Sequence, residues 1–75
     1  MRHYNHAQAY IFDKTMFTIR QVNQFLQRNN IEKLKPIHTT MRYYRVRVAQ
    51  PDYKHYFYKT ITISKGIKMI YAYPL

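Results

Sequence analysis

Cysteine and tryptophan are absent, glycine and serine occur once each, and only three side chains are acidic. Without cysteine there are no disulfides and no thiolate zinc sites, which fits a reducing, intracellular setting. Asp13, Glu32 and Asp52 are scattered and form no recognisable pair for general acid–base work. No apolar run approaches the length needed to span a bilayer, and the first residues carry no signal-like hydrophobic stretch, so no membrane association is expected. Internal repeats, low-complexity segments and linkers are also lacking. A single domain over residues 1–75 follows, near the lower size limit for a core without staples.

What is abundant is positive charge and aromatic surface. Thirteen Lys/Arg set a net charge of +10 and a pI near 10.1. Six of these cations and two of the acids fall in residues 1–37, seven and one in 38–75, so the whole body is basic rather than one tail. Such a field repels copies of itself and attracts polyanions or an acidic partner. Hydrophobic content of 47% argues against wholesale disorder, and nine tyrosines with four phenylalanines supply large buried areas per residue.

Along the chain, residues 7–12 read as a short strand, and a helix is predicted over 19–29. Thr18 is the N-cap and Gln21 completes a capping box, while Phe17 and Val22 form a hydrophobic staple. Ile19, Val22, Phe25 and Leu26 share one face. Arg28 suits the negative end of the helix dipole, and Asn29-Asn30 makes a C-cap. Lys35-Pro36 prevents continuation. Strands follow at 36–40, 42–49, 56–63 and 67–73, with Ser64-Lys65-Gly66 as a three-residue hairpin loop holding its glycine in the left-handed region. This order, β-α-β-β-β-β, predicts an α+β domain: one N-terminal capped helix packed on a four- to five-stranded, mostly antiparallel sheet. The expected core is Ala9, Ile11, Phe17, Val22, Phe25, Leu26, Tyr44, Val46, Val48, Phe57, Ile61, Ile63, Ile67 and Ile70. One short helix covers only part of one sheet face, and the other face is left to solvent or a ligand.

The segment Arg42–Tyr58 carries the functional signal. Strand alternation puts Tyr44, Val46 and Val48 on one face and Tyr43, Arg45 and Arg47 on the other. Fixed charge beside a flat ring suits phosphates and stacked bases. The candidate nucleic-acid-binding set is Arg42, Arg45, Arg47, Lys54, Lys59, Lys65 and Lys68 for charge, with Tyr43, Tyr56 and Tyr58 for stacking. Lys59 falls on the side of Phe57 and must snorkel or sit at a rim. The same residue types also suit a plain solvated sheet face or a protein interface. Asp13 reads as structural, forming a local turn or meeting a nearby cation.

Chemistry beyond binding has few parts. His3 and His6 are three apart, His38 and His55 are isolated, and a metal site would need more ligands than the carboxylates supply. No metal and no other cofactor is expected. The one reaction with adequate groups is metal-free RNA cleavage using His38 or His55 as base beside an arginine, and no fixed spacing recommends it. The expectation is a non-enzyme.

The ordered string Ile11-Phe12-Asp13-Lys14, Phe17-Thr18, Val22, Phe25-Leu26, Pro36, His38, Thr40, Tyr44-Arg45-Val46-Arg47, Pro51 and Gly66-Ile67-Lys68 with Ile70 resembles a short domain that recurs in large eukaryotic DNA viruses and tailed phages. The likeness spans residues 10–73. Phe17 and Phe25 stand where that pattern usually has tryptophan, Val48-Ala49 intervenes before Gln50-Pro51, and Tyr71 replaces a smaller residue. The resemblance implies a viral origin, in a virion or in the cytoplasm or nucleus of an infected cell. The expected role is a non-catalytic nucleic-acid-binding module for DNA or RNA. The alternative is a structural or assembly protein, such as a minor capsid component, docking on an acidic viral protein. A homodimer through a sheet edge is a further possibility.

Overall fold

In the computed structural model, which describes residues 3–75, the centre of the molecule is β1 (His6–Asp13). Strand β3 (Tyr43–Arg47) lies on one side of it and β5 (Ile67–Pro74) on the other. Short β2 (His38–Thr39) closes the β3 edge and β4 (Tyr56–Ser64) the β5 edge, giving the order β2-β3-β1-β5-β4. Every neighbouring pair is antiparallel. With helix α1 (Ile19–Arg28), this is the predicted α+β architecture of one helix on an antiparallel sheet.

The helix forms as its local sequence demands. Thr18 sits in extended geometry and its hydroxyl accepts Gln21 N–H at 3.2 Å, while Gln21 Oε1 accepts Thr18 N–H at 2.8 Å. Replacing Thr18 by alanine orphans a helix N–H and is expected to cost about 1 kcal/mol; thermal melting at an unmoved temperature would refute the cap. At the other end Asn30 takes φ 54°, Ile31 N–H reaches Leu26 O at 2.9 Å, and Asn30 N–H reaches Gln27 O. This is a Schellman closure, and it turns Ile31 back onto the core beside Leu26.

Phe12, Val22, Leu26, Val46 and Ile67 form the buried cluster, with Tyr10, Phe17, Phe25, Ile31, Ile37, Tyr44 and Val48 packed around it. The Phe12 ring meets Phe17 and Phe25 edge-on, at 5.6 and 5.3 Å between centroids. Phe12 was not among the expected core residues, although it is fully buried. Pairing in register sets Phe12 beside Tyr44 and Ile67 on the helix side, and Ile11 beside Arg45 and Lys68 on the other. Ile11 and Ile70 are therefore half-buried residues of the open face rather than core. Phe57 and Ile63, also expected inside, are each 41% exposed, because the helix ends short of β4.

Two irregularities set the boundaries. At Gln8 the β1–β5 register slips, and its carbonyl accepts both Val48 N–H (2.9 Å) and Ala49 N–H (3.2 Å). The buried Gln8 side chain donates to Ala49 O at 3.1 Å. This local hydrogen-bonding replaces the regular ladder and ends β3 at Arg47 rather than residue 49. At the β4–β5 hairpin Ser64 still pairs with Ile67, so the loop is Lys65-Gly66 alone, with a register shift between Thr62 and Ser64. Gly66 adopts φ +78°, and a Cβ there would lie 2.6 Å from Met16 Sδ and 3.0 Å from the Phe17 ring. The Met16 end can swing aside, whereas the Phe17 ring is packed in the core. Gly66→Ala is thus expected to cost at least about 1 kcal/mol from backbone geometry alone, lowering the melting temperature by roughly 4–8 °C. An unchanged melt would show the hairpin to be differently built.

Candidate nucleic-acid interface

The face turned away from α1 is laid out in rows by strand register. One row runs His38, Arg45, Ile11, Lys68, Thr62 across all five strands. The next runs Arg47, Ala9, Ile70, Thr60. Tyr43, opposite Asp13, stands at the end of β3 and is 38% exposed. Arg45, Arg47, Lys68 and Tyr43 are thereby brought together on one surface, with Ala9 and Ile11 between the cations and the Asp13 carboxylate beside Tyr43.

Loop 33–37 and β2 build a wall beside this face. Pro36 has no N–H to give, and Arg47 O instead accepts Leu34 N–H at 2.8 Å, which holds the loop against β3. The resulting concavity of about 370 Å³ is lined by Lys35, Pro36, His38, Arg45 and Arg47, without a carboxylate. Arg45, one of these lining residues, has its Nε buried with no acceptor, the only such buried side-chain nitrogen or oxygen among the described residues. Leaving a desolvated donor unpaired costs about 1–3 kcal/mol, more for a charged group. An anion that reached it would relieve that cost.

Acids do little to neutralise the surface. Among the described residues the one acid–base pair is His55 Nδ1 with Asp52 Oδ2 at 2.8 Å, so no described lysine or arginine is paired with a carboxylate. Hydrogen bonding by His55 is the main influence holding the Asp52 carboxyl below its ordinary value. Asp13 Oδ1 accepts Thr15 Oγ1–H at 2.7 Å and Thr15 N–H at 2.8 Å, and these bonds lower its pKa, the side-chain one most. Asp13 is thus a turn-former. Its neighbour Lys14 donates to Thr40 O at 3.1 Å and lies over the Tyr44 ring, tying the β1–α1 connection to the β2–β3 turn.

The remaining candidates are distributed unevenly. Arg42 is exposed in the Met41-Arg42 turn and lines a concavity of about 310 Å³ with Asp13, Lys14 and Tyr43. Lys65 projects from the β4–β5 loop and Lys54 from the turn before β4. Tyr56 and Tyr58 share the open face by register but are engaged within the protein. The Tyr56 ring meets His3 and His6 edge-on, and Tyr58 oxygen accepts Asp52 N–H at 2.7 Å. Tyr53, packed edge-on against Tyr58 and 77% exposed, is the freer ring of that end. Lys59 lies on the helix side, over the stacked Phe57 and Tyr73 rings. Lys35 was missed as a site residue because its place beside Arg45 depends on the return of loop 33–37, which no local pattern announces.

His3 stacks on His55 at 4.5 Å between centroids, and its Nδ1 lies 3.3 Å from the Tyr56 hydroxyl. No group of three or more metal-ligating side chains converges among the described residues. No described helix is long and apolar enough to cross a membrane. Comparison with protein-family models, curated proteins and solved structures finds no match for this chain.

Proposed function

We propose that this chain is a non-catalytic nucleic-acid-binding module, of the viral origin its sequence pattern suggests, which grips phosphate backbones without strong sequence specificity. The observation that carries the reading is the open sheet face, where Arg45, Arg47 and Lys68 stand beside Tyr43 with no carboxylate partner. Charge fixed in rows on a rigid sheet meets successive phosphates, and the Tyr43 ring offers a stacking surface of the kind worth about 1–3 kcal/mol per base. Contacts to phosphate fix position without carrying sequence information, so a face that works mainly through phosphates is expected to show weak specificity. The test is binding of DNA and RNA oligonucleotides across a salt series. With about five phosphates neutralised, the log–log slope should be roughly −3.5 on single strands and −4.5 on duplex. Affinity indifferent to salt would rule the mechanism out.

A second reading, a structural or assembly protein that docks on an acidic viral partner, draws support from the opposite side of the sheet. There Phe57 and Tyr73 stack at 5.3 Å, Tyr71 meets Tyr73 edge-on, and Lys59 sits over the pair. Aromatic rings are enriched at protein interfaces, and the lysine over them complements the charge of an acidic partner. Sedimentation with and without oligonucleotide separates the two. Co-purification with coat protein after nuclease treatment favours docking.

A further inference from the structure

We infer that the concavity between loop 33–37 and β3 is a discrete subsite for a dianionic phosphomonoester, the phosphorylated end of a nucleic-acid strand. This deepens the proposed function and rests on it. Three observations converge. The lining combines three fixed cations, Lys35, Arg45 and Arg47, with the His38 imidazole and no acid, more positive charge than one backbone diester neutralises. A terminal phosphate carries close to two negative charges at neutral pH, against one for an internal diester. Arg45, a lining residue, keeps a buried Nε donor without an acceptor, which a bound anion would satisfy once the guanidinium turns toward it. Charge-assisted bonds from guanidinium to phosphate are the strong ones, and two arginines on alternate residues of β3 can share one phosphate from the same side.

Position completes the case. The subsite lies at the β2 edge of the sheet, against loop 33–37, so a strand crossing the open face would end there. Lys68, on the same row as Arg45, is two strands further in. At roughly 4.8 Å per strand spacing it stands about 10 Å away, too far to share the phosphate held by Arg45 and suited to one further along the chain. A terminal phosphate in the concavity with the rest of the strand running over Ile11 and Lys68 uses both.

The experiment compares one single-stranded oligonucleotide carrying a 5′-phosphate, a 3′-phosphate or hydroxyls at both ends, in wild type, Arg45→Gln and His38→Gln. At least one phosphorylated form is expected to bind about tenfold more tightly than the hydroxyl form, and which end gains it identifies the polarity of the strand. That advantage should disappear in Arg45→Gln, and His38→Gln provides a second variant should the first fail to fold. Equal affinity of all three oligonucleotides for the wild type would overturn the subsite while leaving the general phosphate-binding face intact. If no oligonucleotide binds at all, the nucleic-acid reading fails, and inorganic phosphate decides the subsite. Saturable NMR shifts of His38 and the Arg45 Nε–H support it, and their absence overturns it.

Discussion

Removing Arg45 and Arg47 together is expected to flatten the salt dependence of oligonucleotide binding, from a slope of roughly −3.5 to about −2 on single strands and from −4.5 to about −2.7 on duplex. Two of about five phosphate contacts are lost, and each neutralised phosphate releases its share of condensed counterion. For the wild type, raising salt from 50 to 200 mM should weaken single-strand binding roughly 100-fold, and for the double alanine variant roughly 20-fold. The matched control is Arg20→Ala/Arg28→Ala, which removes the same charge from exposed positions of α1 on the opposite side of the sheet. Attraction between exposed charges is largely screened beyond about 8–10 Å at ordinary ionic strength, so the helix variant should keep the wild-type slope. If both variants flatten it equally, net charge rather than the ordered face is responsible, and the platform is refuted.

The second large effect concerns the core that holds this face in place. Phe12→Ala empties the centre of the aromatic cluster between Phe17 and Phe25, and is expected to cost about 3–5 kcal/mol. A domain of this size holds only about 5–10 kcal/mol in total, so the variant should be largely unfolded at moderate urea. Phe57→Ala removes a ring of the same size from a half-exposed stack with Tyr73 and should cost about 1 kcal/mol. Urea denaturation of both variants checks the contrast. Should Phe12→Ala fail to express folded, Phe12→Leu leaves a smaller void and keeps the comparison measurable. Equal losses at positions 12 and 57 would mean that the helix does not select the face described.

Several features were legible in the residues themselves because their physics is local. The Thr18–Gln21 box, the asparagine C-cap and the left-handed Gly66 each depend on groups a few residues apart. The alternation of Tyr43, Arg45 and Arg47 against Tyr44 and Val46 also follows from strand geometry once the strand is recognised. The parity of β1 did not follow. Ala9, Ile11, Tyr10 and Phe12 offer apolar side chains to both faces, and alternation alone gives no preference when both sets are hydrophobic. Only the position of α1 selects Phe12 for the interior. The hairpin loop is one residue shorter than Ser64-Lys65-Gly66 predicts, because the irregularity near Ile63 has no signature in Ile-Thr-Ile-Ser.

Composition and short-range order thus determined a capped helix, β-rich remainder, strong uncompensated basicity and an arginine-bearing strand face. Tertiary structure decided which side of each strand is covered, that Tyr56 and Tyr58 are occupied by internal partners, and that Lys35 and His38 join Arg45 and Arg47 around one concavity. The division has a physical cause: caps, turns and strand alternation are settled by neighbours in the chain, whereas burial and the meeting of distant cations depend on register and on where a loop returns.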